Sequence, residues 1–330
     1  MSPLRSALVV LAAVLTLGAC GTTETASAPA DPSAGPGTAA AGPITVTDGR
    51  GKQIALDKPA VKVVGLEWGE VEMLATLGVM PVGVADVKGY GTWVTSVKLD
   101  PSVKDVGTRA EPSVDSIVAL QPDLVVMTAK RDATLVNQLE KFVPVIVTDN
   151  GKSGANIDGM RTDFKMIATA VGKSAEADRV LAEFDAALAD GAAKLAAAGK
   201  AGKPFAMADG WKEGSTISIR MFGQGALVSE VVIKLGLRNV WNGKVDEEYG
   251  LGTTDVEGLT PLKDPDIRFF YNASDGDDVF TDGLAGNAIW KSLPFVTKGQ
   301  VTKLPDGIWT FGGPLSCKQY ADAIVKAYLA

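Results

Sequence analysis

The sequence has no histidine. Its absence removes the commonest transition-metal ligand, the commonest general base and every Ser-His-Asp or Cys-His catalytic arrangement. Cysteine is nearly as scarce. Only Cys20 and Cys317 occur, and because Cys20 falls in a targeting segment, the mature body is expected to keep one free thiol, no disulfide and no zinc motif. Cys317 reads as a small packed side chain. No strongly basic tract is present: the formal net charge is -7 with 22% charged residues, which argues against a nucleic-acid surface. There is no Gly-x-Ser-x-Gly elbow, no His-Glu-x-x-His and no phosphate-binding Gly-x-x-x-x-Gly-Lys, and no two acids are paired in a way that suggests glycoside hydrolysis. Asp275-Gly276-Asp277-Asp278 lacks the full ligand spacing of a calcium loop and reads as a turn. An enzyme, a cofactor and a protein-held metal are therefore not expected, with a tethered hydrolase as the remote alternative.

What is present is a chain of 330 residues, 46% hydrophobic, enough to bury a sizeable core and to divide into about two domains. Arg5 precedes an apolar run from Ala7 to Leu17, a short secretory signal rather than a membrane span. The run ends in Leu17-Gly18-Ala19-Cys20, which resembles a bacterial lipobox. That resemblance implies cleavage before Cys20, lipid attachment to its sulfur and a place on the outer face of the cytoplasmic membrane. Residues 1–19 are accordingly the signal peptide. Residues 20–43 are the lipidated cysteine and a tether, because their Thr, Ala, Ser, Pro and Gly side chains cannot bury enough surface to fold.

From Val61 short β-branched runs alternate with helix-like segments, the patterning of an α/β fold. Strands are expected at 61–66, 82–85, 123–127 and 143–147, with Pro122 and Pro144 punctuating strand starts. Residues 156–199 lack any strand signal. Gly172 caps a first helix there and Ser174 opens a second, with Leu181, Phe184, Leu188 and Leu195 on one face. The second helix should extend about 37 Å at 1.5 Å per residue. The alternation then resumes: strands near 205–208, 217–221, 267–271 and 300–304, helices over 227–235 and near 284–290, and a last helix from about Pro314. The fold class is α/β, with two α/β lobes joined by one long α-helix: an N-terminal lobe over 44–172, an interlobe helix over 173–200 and a C-terminal lobe over 201–330. A hinge made of a stiff rod should bend little.

Several segments carry a resemblance: Leu66-Glu67-Trp68, Val71 to Gly78, Pro81 to Asp86, Gly89-Tyr90-Gly91-Thr92-Trp93-Val94, Val106-Gly107-Thr108-Arg109-Ala110-Glu111-Pro112-Ser113 and Ile117 to Val125. Gly236 to Trp241, Trp290 to Phe295 and Ile308-Trp309-Thr310-Phe311-Gly312 continue it in the second lobe. Together they resemble the substrate-binding lipoproteins of iron-siderophore ABC importers, in particular the ferric hydroxamate receptors with a helical interlobe linker (class III periplasmic binding protein-like). The Leu-x-Pro-Asp-Leu-Val piece is shared with haem, cobalamin and metal receptors; Trp68, Trp93 and Gly-x-Arg-x-Glu-Pro are sharper. The resemblance implies a monomeric receptor that binds a ferric siderophore between its lobes and delivers it to a membrane permease. It implies Arg109 as a donor to the oxygens around the iron, and Trp93, Trp309, Phe311 and Tyr249 as walls of the cleft. Trp68 ends a strand and is a further candidate, whereas Trp241 and Trp290 are left to packing. Asp115 and Glu230, one acid on each lobe, are the implied docking residues. Two departures stand out: Lys130-Arg131 replaces an aromatic that relatives can carry, and Phe311 stands where a hydrogen-bonding Tyr could be.

The residue types suit such a cargo. A ferric siderophore already coordinates its iron, so a receptor without histidine loses nothing and needs only a guanidinium fork and rigid aromatic surfaces. A hydroxamate complex is near neutral or slightly cationic, whereas a catecholate complex carries several negative charges and needs clustered cations. The available cations are Arg109, Lys130, Arg131 and Arg220. If Arg109 alone faces the cleft, a hydroxamate is favoured; if all four converge, ferric citrate or a catecholate competes. Haem and cobalamin remain alternative cargoes on the same fold, and bare zinc or manganese is disfavoured by the missing histidines.

Overall fold

The computed structural model describes residues 42–128, 133–149, 151–214 and 216–330, within one compact unit that spans Ala40–Ala330. The signal segment, Cys20, the tether up to residue 41, Lys130 and Arg131 lie outside the described residues. The described chain begins with an antiparallel hairpin, β1 (Ile44–Thr47) and β2 (Gln53–Leu56), whose inward Val46, Ile54 and Leu56 are buried.

The first lobe is built on five parallel strands, β3 (Val63–Gly65), β4 (Gly83–Val84), β5 (Lys104–Asp105), β6 (Leu124–Thr128) and β7 (Val145–Thr148), in the order β5-β4-β3-β6-β7. Helices α1 (Trp68–Thr76), α2 (Val87–Trp93), α3 (Val114–Ala119) and α4 (Ala133–Leu139) connect them, and α5 (Asn156–Ala170) follows β7. Helices on both faces bury the central strands completely, which is why Leu124-Val125-Val126-Met127 reads as an unbroken apolar run rather than an alternating one. Strand order reverses between β3 and β6, so a crevice opens at the carboxyl ends of these two strands.

Gly172, at φ +68°, ends the α5 segment in the left-handed region, and α6 (Ser174–Ala197) then runs 24 residues, about 36 Å. Its Leu181, Phe184, Leu188 and Leu195 are buried, as the 3.6-residue spacing requires. The second lobe carries a mixed sheet of β8 (Pro204–Glu213), β9 (Thr216–Phe222), β10 (Arg238–Asn239), β11 (Leu251–Thr254), β12 (Arg268–Asn272) and β13 (Val301–Lys303). The order is β11-β9-β8-β12-β13, with β10 also paired to β8. Its helices are α7 (Leu227–Lys234), α8 (Ala288–Ser292), α9 (Pro294–Thr297) and α10 (Pro314–Leu329).

Two expectations shift. The strand expected over 205–208 runs to Glu213, because its polar end pairs antiparallel with β9 and needs no apolar alternation. The helix expected near 284–290 starts only at Ala288, where the Asn287 side chain accepts from the Trp290 N–H and caps it. One apolar cluster runs from Val63 and Leu74 of the first lobe through Phe164 and Phe184 to Phe205, Phe270 and Tyr320 of the second.

Candidate ligand-binding cleft

The crevice at the strand reversal is where side chains with chemistry gather. β3 runs into Leu66-Glu67-Trp68, and the Glu67 carboxylate accepts from the Trp68 N–H at 2.9 Å as α1 begins. A cavity of about 260 Å³ lies here, lined from the first lobe by Glu67, Arg109, Thr128 and Asp163 and from the second by Tyr249, Trp309 and Phe311. Arg109 comes from a tight loop pinched by a bridge between Gly107 and Pro112. Gly107 has φ +108°, a conformation that a side chain would strain.

The Arg109 guanidinium sits over the Trp68 ring at 4.0 Å and within 5.3 Å of the Trp309 ring. Its Nη2 pairs with Glu67 Oε1 at 2.5 Å. Trp309 packs edge-on against Trp68 at 5.0 Å, Trp93 at 6.0 Å and Phe311 at 5.3 Å, and Phe311 in turn meets Tyr249 at 5.9 Å. Two buried donors of this cluster, Arg109 Nε and Trp309 Nε1, have no partner among the described residues. Left unmatched, each carries the desolvation cost of a buried polar group.

The sequence-derived candidates divide accordingly. Arg109, Trp309, Phe311 and Tyr249 line the cavity. Trp68 does not; it is buried, donates from Nε1 to the Asp86 carbonyl at 3.2 Å and serves as the platform beneath Arg109. Trp93 is half-buried behind Trp309 and is likewise not a lining residue. Arg220 is likewise not a lining residue: Nε donates to Asp209 Oδ1 at 2.9 Å, Nη2 meets the second oxygen, and the guanidinium lies over the Phe311 ring at 5.3 Å. Arg131 lies outside the described residues.

Three acids that the sequence did not single out belong to this region. Glu67 neutralises Arg109. Glu70, 1% exposed, accepts from Thr148 Oγ1 at 2.5 Å, and burial together with the Glu67 charge pushes its carboxyl up to about 8. Asp163 is 4% exposed; its Oδ1 accepts from the Asp149 N–H at 3.3 Å, and burial pushes it up to about 7. Acids in or beside helices are ordinary, so only the tertiary packing distinguishes these.

The lobes are tied on both sides of the cavity. On one side Glu230 of α7 accepts from the Asn156 and Ile157 N–H groups at 3.0 and 2.9 Å, capping α5 of the other lobe. The Asn156 side chain donates back to the Gly225 and Glu248 carbonyls at 2.6 and 3.2 Å. On the other side the fully buried Glu72 of α1 accepts from Gly313 N, Ser316 N and Ser316 Oγ at 3.1, 2.8 and 2.6 Å, capping α10. Glu230 is thus half-buried and engaged, whereas Asp115 is exposed in the first turn of α3.

Among the described residues no group of three His, Cys, Asp or Glu is placed to hold a metal ion. Residues 63–307 match the model of the periplasmic binding protein family. The iron(3+)-hydroxamate-binding protein of Escherichia coli is 25% identical over 81% of this chain and 86% of its own length. The Fe(3+) dicitrate-binding periplasmic protein of the same organism is 31% identical over 86% of this chain and 90% of its own. Among solved structures, the siderophore-binding protein of Vibrio cholerae with Fe3+-Desferal bound superposes with a TM-score of 0.72 at 26% identity, covering 82% of this chain and 98% of that one.

Proposed function

The chain belongs to the periplasmic binding protein family, and from that footing we propose that it is the extracytoplasmic receptor of an ABC importer, binding a ferric siderophore of the hydroxamate class between its lobes. The observation that carries this reading is the pair of buried donors without acceptors among the described residues, Arg109 Nε and Trp309 Nε1, at one aromatic-walled cavity. They suit the oxygens that surround a chelated iron, while Phe311 and Tyr249 suit the organic shell. Charge favours a hydroxamate. Arg109 is offset by Glu67 and Arg220 by Asp209, so the described part of the cleft offers no uncompensated cation to a multiply anionic catecholate. Ferric citrate is the second reading, supported by the 31% identity to a dicitrate-binding protein.

Ligand cavities commonly measure roughly 300–1,000 Å³, so a cavity of about 260 Å³ takes one face of such a complex, and the lobes part to admit it. For delivery we propose that the lipid on Cys20 holds the receptor at the membrane and that Asp115 and Glu230 meet the permease, Glu230 leaving the α5 terminus to do so.

Tryptophan-fluorescence titration with a ferric trihydroxamate, ferric citrate, a ferric catecholate and haem tests the cargo. Saturable quenching by the trihydroxamate is expected, and Arg109→Ala should cost about 1.5–3 kcal/mol, roughly ten- to a hundredfold in Kd. Quenching by citrate alone would replace the cargo, and quenching by none would refute the reading.

A further inference from the structure

We infer that the cavity holds a second polar contact for its cargo, the carboxylate of Asp163, and that the cargo is a ferric hydroxamate bearing a protonated primary amine. The inference rests on the hydroxamate reading and narrows it.

Asp163 projects from α5 one turn beyond Met160, and both line the cavity together with Met73 and Leu227. The aspartate is 4% exposed. Among the described residues only one long bond reaches it, from the Asp149 N–H to Oδ1 at 3.3 Å. Among the described residues no cation acts on it; the charge that does is Asp149, which repels it. Asp163 in turn helps raise Glu70. The amino end of α5, at Asn156, is seven residues away, too far for the helix dipole to compensate. A buried carboxylate in this condition is unfavourable when alone and is matched best by a cation that brings its own hydrogen bonds. Because burial holds the empty carboxyl near about 7, an approaching ammonium finds it close to ionisation at neutral pH.

The surroundings choose among cations. Met73, Met160 and Leu227 are flexible apolar side chains, fit for an alkyl stem and unfit for a hydrated inorganic ion. An alkylammonium arm attached to the iron chelate meets both demands: its oxygens take the donors of Arg109 and Trp309, and its amine takes Asp163. A hydroxamate without an amine leaves Asp163 unmatched. Citrate or a catecholate brings negative charge towards it.

Ferric Desferal, whose chain ends in a free primary amine, and the same complex after N-acetylation differ only at that group. Titrated into the whole protein, the acetylated complex should bind about tenfold more weakly, and in Asp163→Asn the ratio of the two affinities should fall to about one. Equal affinities in the unaltered protein, or a ratio that survives Asp163→Asn, would overturn the amine contact and leave the hydroxamate reading standing. Failure of both complexes to bind would overturn both. If the variant is too unstable to titrate, the ratio in the unaltered protein decides the point.

Discussion

Arg109 is held by Glu67 at 2.5 Å and by the Trp68 ring at 4.0 Å, so its fork is oriented before any cargo arrives. The neighbouring acids should make the empty protein sensitive to pH. Glu70 and Asp163 are raised from 4.5 to about 8 and from 3.8 to about 7, which means that the folded state binds more protons than the unfolded state between those values. Their contribution is therefore fully present below about pH 4 and lost as pH rises to about 8, on the order of a few kcal/mol. Urea midpoints measured from pH 5 to 8 should fall with rising pH, and Glu70→Gln combined with Asp163→Asn should flatten the slope. An unaltered slope in the double variant would contradict the burial argument. Arg109, Trp309, Phe311 and Tyr249 were legible because motifs flank them or resemblance aligns them. Glu70 and Asp163 were not, since a carboxylate in a helical stretch looks the same whether it faces water or a cavity, and Glu67, though inside a quoted motif, precedes α1 as its cap and gave no sign of its pairing with Arg109. Trp68 and Trp93, read as candidate walls, stand behind the cavity lining, against Arg109 and Trp309.

At the scale of elements, each lobe lends a glutamate to cap a helix of the other: Glu72 of α1 at α10, and Glu230 of α7 at α5. Close backbone approach accompanies the first tie, since a Cβ on Gly69 would fall 2.7 Å from the Phe311 carbonyl oxygen. The two docking candidates should then separate. Asp115→Lys, on an exposed turn, should abolish siderophore-dependent iron uptake in cells without altering melting temperature. Glu230→Lys should abolish uptake and also cost the α5 cap, about 1–2 kcal/mol, or a few degrees of melting temperature. Uptake retained in either variant would remove that acid from the docking surface, and an unmoved melting temperature in Glu230→Lys would remove the cap. Apolar spacing made α6, α7 and the buried strands readable, because one face of each is dictated by burial. It could not reach the tail of β8, whose Gly210 to Glu213 are held by pairing with β9, nor the cross-lobe caps, which join residues more than 70 positions apart.

For the whole molecule, the apolar cluster that continues through α5 and α6 into both lobes means that wide opening would expose packed side chains at roughly 25 cal/mol per Å². Small movements that break the Glu230 and Asn156 ties are cheaper, and they act at a wall of the cavity itself, since Asn156 lines it. The two-lobed plan followed from the alternation of strands and helices around residues 156–199. The depth and charge of the cleft did not, because they depend on which loops meet across it. On the proposed reading the iron chelate sits between the lobes against Arg109 and Trp309. The most direct measurement is anomalous diffraction at the iron edge from crystals grown with a ferric trihydroxamate. A single iron peak in the cleft, facing Arg109, Trp309 and Tyr249, is the predicted result; iron at the protein surface, or no ordered iron under saturating ligand, would contradict it.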